Sequence, residues 1–70
     1  MNSELLVDRI NKSGLKRERI ATEMNISSES LRRKLMGASE FTAGEIGSIS
    51  TLLGLKISDV AAIFFPSVLN

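Results

Sequence analysis

Residues 17–37 read RERIATEMNISSESLRRKLMG, two short helical patterns that meet at Asn25-Ile26. Before the junction, Ile20, Ala21 and Met24 share one helix face; after it, Leu31 and Leu35 stand four apart. Asparagine is second only to glycine in tolerating a left-handed backbone, so Asn25 is expected to stop the first helix abruptly. Ser27 offers its hydroxyl to the free amide of Ser30 and starts the next helix. Helices joined this tightly cross at roughly 90–120° and approach closely at one point, where the small Ala21 leaves room. Ile26, in the turn, is expected to drop into the core and lock the angle.

Outward from this pair the apolar spacing stays helical, and no segment alternates long enough for a strand. Helices are expected over residues 3–13, 16–24, 28–36, 43–53 and 58–64, followed by a tail over 65–70. Asn2 or Ser3 caps the first, which turns Leu5, Leu6 and Ile10 inward and ends at Ser13-Gly14. Phe41 lies in a short loop and is expected to plug the core. Thr42-Ala43-Gly44-Glu45 has the form of a capping box, with Ile46, Ile49 and Leu53 inward behind it. Gly44 and Gly47 each weaken that fourth helix by roughly 1 kcal/mol relative to alanine, so packing must hold it. Ser58 is expected to cap the fifth helix, with Val60, Ile63 and Phe64 inward before Pro66 ends it. The expectation is one compact all-α domain of five helices over residues 1–70.

The inventory narrows function. The chain has 70 residues and no cysteine, histidine, tryptophan or tyrosine. There is no thiolate or imidazole to hold a metal and no histidine to act as a base, and no nucleophile stands beside an evident base. Neither an enzyme nor a cofactor is expected. The longest apolar run, residues 60–65, falls well short of the ~20 residues that span a bilayer. The first residues lack the basic stretch and apolar core of a secretory signal, so no membrane partner and a cytoplasmic location are expected.

Net charge is only +1, but it is unevenly spread. Residues 1–8 carry −2, residues 9–36 carry +5, and residues 37–70 carry −2. Positive charge gathered into one stretch is what a face that meets a polyanion requires, although lysine and arginine also serve to solvate small helices.

The two helices with their buried positions Ile20, Ala21, Met24, Ile26, Leu31 and Leu35, and the left-handed Asn25, make a helix-turn-helix pattern. Over essentially the whole chain it resembles the Cro/cI-like family of phage and bacterial regulators, also called lambda-repressor-like or XRE. Two positions depart from the family's pattern. Asn25 stands where glycine is usual, which keeps the left-handed geometry, and Lys34 stands where an apolar or aromatic residue is common. Leu35 is expected to take the buried role and Lys34 to snorkel to the surface.

With Leu31 and Leu35 inward, Ser28, Glu29, Arg32 and Arg33 face out. In the family this half of the third helix enters the major groove. The resemblance therefore implies base contacts from Ser28, Glu29 and Arg33, with Arg32 at the groove edge. A guanidinium at Arg33 suits guanine O6 and N7, and a carboxylate at Glu29 suits cytosine N4 or repels other bases. Glu29 also fits as a first-turn acid that complements the helix dipole. Lys16, Arg17, Ser27 and Lys34 would meet phosphates.

The implied partner is a double-stranded DNA operator, bound by a homodimer on two half-sites about one helical turn apart. Phe65, Val68 and Leu69 are the candidate dimer or partner surface, the alternative being a tail folded on its own core. A sequence-specific transcription regulator in bacterial cytoplasm, on the nucleoid when bound, is expected. The second reading is a phage modulator or antirepressor that acts by binding a repressor protein.

Overall fold

The computed structural model describes residues 1–68. Among them are five α-helices and no strand: α1 (Ser3–Ser13), α2 (Arg17–Glu23), α3 (Ser28–Leu35), α4 (Ala43–Leu53) and α5 (Ile57–Phe64). A single 3-10 turn, Pro66–Val68, follows. The helix ends lie within two residues of those expected.

Each end has a local cause. The Asn2 Oδ1 accepts from the Leu5 amide at 3.1 Å and starts α1. At the end of α2, the Asn25 amide donates to the Thr22 carbonyl and the Ile26 amide to the Ala21 carbonyl, both at 3.0 Å. These two bonds make a Schellman closure, and it requires a left-handed residue at Asn25, whose φ is 58°. Ser27 Oγ accepts from the Ser30 amide at 3.0 Å and opens α3 within two residues of that closure. The capping box of α4 is complete: Thr42 Oγ1 accepts from the Glu45 amide, and Glu45 Oε1 from the Thr42 amide.

The fifth helix corrects the expectation. Its N-cap is Lys56, not Ser58, which lies inside the first turn. Asp59 reaches back and accepts from the Lys56 amide at 3.0 Å, so the helix begins at Ile57, one residue before the serine.

The core gathers Leu6 and Ile10 from α1, Ile20 and Ala21 from α2, Leu31 and Leu35 from α3, Ile49 from α4, and Ile63 and Phe64 from α5. Met24 is buried with them, while Ile26 and Phe41 are half-buried against the cluster. Phe41 meets Phe64 edge-on, with ring centroids 5.5 Å apart. The Asn2 amide donates to the Ile63 carbonyl and ties the start of the chain to α5. The Cα radius of gyration is 11.1 Å, the value near ~11 Å at which a chain of this length is fully collapsed.

α2 packs against both α3 and α4, and α1 against α3, α4 and α5. Ala21 is only 2% exposed within this packing. Ala21→Leu therefore has to overpack the core, and an expected loss of about 1–3 kcal/mol should appear in urea melts. An unchanged midpoint would mean that no close approach exists at this residue.

Candidate functional site

Three buried residues, Leu31, Lys34 and Leu35, fix how α3 is rolled. They occupy one side of the helix and turn Ser28, Glu29, Arg32 and Arg33 to solvent. Ser27, at the helix start, is exposed as well, but its hydroxyl oxygen already caps the Ser30 amide. Lys16 and Arg17 are exposed at the opening of α2.

Lys34 departs from its expected role as a phosphate contact. It is 7% exposed, and its Nζ donates to the Glu40 carbonyl at 2.9 Å and pairs with Glu45 Oε1 at 2.9 Å. The ammonium also stands 5.9 Å from the centroid of the Phe41 ring. Lys34 follows Leu31 by three residues, so it shares the buried side and does not snorkel outward. Its charge is satisfied by the loop before α4 and by the same carboxylate oxygen that closes the α4 capping box. The lysine thus ties the end of α3 to the beginning of α4.

Arg32 is also engaged. Its Nε and Nη2 donate to Glu29 Oε1 and Oε2, both at 2.7 Å, and its Nη1 donates to Met36 Sδ at 2.9 Å. The hydrogen bond from Arg32 holds the Glu29 carboxyl below its usual range, with the nearby charges of Arg32 and Arg33 adding to it. The same pair raises the Arg32 guanidinium further above its ordinary value. Among the described residues, Lys16, Arg17, Arg19 and Arg33 make no ion pair. Over residues 16–36 the unpaired positive charge lies on these four exposed side chains, with Glu18 and Glu23 of α2 set against it.

Sequence reasoning overlooked Arg19 and Met36. Met36, 67% exposed, follows Arg32 by four residues and therefore lies on the same outward side. That spacing was the available signal. Ile20, Ala21, Met24, Leu31 and Leu35 are buried, Ile26 is half-buried, and Asn25 is exposed in the turn. At the far end of the chain Phe65 and Val68 are 48% and 76% exposed. Leu69 lies outside the described residues. Beside Phe65, a groove runs between the start of α1 and residues 37–41, lined by Met1, Glu40, Phe41 and Phe64. Among the described residues no helix is long and apolar enough to cross a membrane.

No family model, curated protein or solved structure matches the chain.

The Lys34–Glu45 contact sets two expectations. Glu45→Ala strands a buried ammonium and opens the capping box, and should cost about 1–3 kcal/mol in chemical denaturation, more than Lys34→Met, which leaves the more exposed Glu45 carboxylate still bonded to the Thr42 amide. The Glu45 carboxyl is held below its usual value near 4.5, first by the Thr42 amide and then by Lys34. A carboxyl whose pKa is lower folded than unfolded contributes its stability above the unfolded value and loses it as pH falls through the folded one. Glu45→Gln should therefore flatten the acid limb of the stability curve below about pH 4.5. An identical acid limb in the variant would remove Glu45 from that account.

Proposed function

We propose that this chain is a sequence-specific DNA-binding regulator of transcription, in which α2 and α3 form a helix-turn-helix and α3 lies in the major groove. The observation that carries the reading is the roll of α3: its buried side is filled by Leu31, Lys34 and Leu35, and its exposed side bears Arg33, which makes no ion pair among the described residues. The Schellman closure at Asn25 and the burial of Ala21 favour the tight helix crossing that this mode of docking uses. Arg33 is the reader with the simplest chemistry, since its five N–H donors have no acid partner among the described residues. Ser28, exposed in the first turn of α3, is a second base contact. Lys16, Arg17 and Arg19 supply the phosphate contacts, and Lys34 has no part in them.

Four free cations are a modest supply for a polyanion, because each neutralised phosphate contributes by releasing counterions. Two copies on two half-sites double that supply. Phe65 and Val68, exposed at the end of α5, are the apolar surface for the second copy. The protein acts in the manner of Cro and repressor proteins of phages, in the cytoplasm of a bacterial host and on its nucleoid.

One observation favours a second reading. Met36 stands exposed on the outer side of α3 next to an arginine whose charge Glu29 already balances. An apolar and neutral patch suits a protein partner, and a phage modulator that binds a repressor would use it. Titration of the protein's own promoter region at two salt concentrations, with and without a candidate repressor, separates the two. Binding by the chain alone with a steep salt dependence supports the regulator; a complex that forms only with the repressor contradicts it.

Arg33→Ala should reduce affinity for the preferred duplex about tenfold, with unchanged helical circular dichroism. Equal affinity would remove Arg33 as a reader. Truncation after Phe64 should weaken self-association in sedimentation equilibrium. A monomer both before and after truncation would place any dimer contact elsewhere.

A further inference from the structure

The geometry points to Glu29 as a positioning residue that holds Arg32 for recognition of a guanine, so that α3 reads with two arginines rather than one. This inference rests on the DNA-binding reading above and adds a specificity determinant to it. Both oxygens of Glu29 accept from Arg32, at 2.7 Å each, along one edge of the guanidinium. Met36 Sδ accepts a third N–H, from Nη1. A guanidinium has five N–H groups, one on Nε and two on each terminal nitrogen. Three are committed to Glu29 and Met36, and one remains on each terminal nitrogen. Two donors on adjacent nitrogens of a planar fork are the set that guanine O6 and N7 accept.

The pair changes what Arg32 contributes. An unpaired arginine attracts every phosphate alike and has to be ordered when it meets a base. Glu29 cancels the long-range charge and orders the side chain beforehand, while leaving the two donors for a base. Arg32 then adds discrimination and little general attraction. Glu29 for its part acts through Arg32, to which both of its oxygens are bound. Both side chains are more than half exposed, and exposed pairs of this kind add little to folding. The consequence is therefore read in binding and not in a melt.

The test uses duplexes that the wild-type protein enriches from a random pool. Each guanine of the enriched sequence is replaced in turn by 7-deazaguanine, which keeps Watson–Crick pairing and deletes the N7 acceptor. Anisotropy titrations then compare wild type, Glu29→Ala, Arg32→Ala and Arg33→Ala. At one guanine the replacement should cost wild type and Arg33→Ala about tenfold in affinity, and Arg32→Ala and Glu29→Ala less than about twofold. Glu29→Ala should also bind an unrelated duplex more tightly, with a salt dependence steeper by about one phosphate. If Glu29→Ala discriminates at that guanine as wild type does, or if no guanine is sensitive to Arg32→Ala, the inference is overturned while DNA binding stands. If the pool yields no enriched duplex and no duplex is bound, both the inference and the DNA-binding reading fall.

Discussion

Two hydrogen bonds at the end of α2, from Asn25 to Thr22 and from Ile26 to Ala21, turn the chain sharply enough for α3 to begin at Ser28. They satisfy carbonyls that a helix end would otherwise leave open, and they do so only with Asn25 left-handed. Ile26 then faces the core, and α3 leaves the turn with Leu31 and Leu35 directed at Ile20 and its neighbours. Everything that α3 offers to a partner depends on that exit direction. A slacker turn would let α3 roll, and the same side chains would face other surroundings.

A second restraint acts at the opposite end of α3. Lys34 reaches the carbonyl of Glu40 and the carboxylate of Glu45, so the helix is held by a buried ion contact as well as by its leucines. Buried ion pairs give little net stability compared with apolar packing, but an unpaired one is costly, which penalises alternative rolls of the helix. The cluster of basic residues on α3 consequently does three different things. Lys34 fastens the helix, Arg32 is balanced by Glu29, and Arg33 alone carries free charge from this helix among the described residues. Counting all three as polyanion contacts overstates the electrostatic attraction.

Local signals made most of the fold legible in the sequence. Asn25, Ser27 and the Thr42-to-Glu45 box act on backbone amides within a few residues, and Ala21 and the leucines follow helical spacing. Ser58 misled because two capping signals competed, and Asp59, which reaches back to the Lys56 amide, prevailed. Lys34 was harder to read. Burial of a lysine depends on partners brought in by tertiary packing, here Glu40 and Glu45, and nothing near position 34 announces them. The Glu29–Arg32 pair had the right three-residue spacing to be seen, but that spacing does not reveal whether each side chain points to its neighbour or outward.

The proposed DNA-binding surface is the exposed side of α3 with the start of α2. An amide NMR titration of the uniformly 15N-labelled protein with a duplex covering its own promoter region tests this residue by residue. Shifts concentrated at residues 16–19 and 27–33 are the predicted result. Shifts confined to Met1, residues 37–41 and Phe65 to Val68, or no shifts at all, would contradict it.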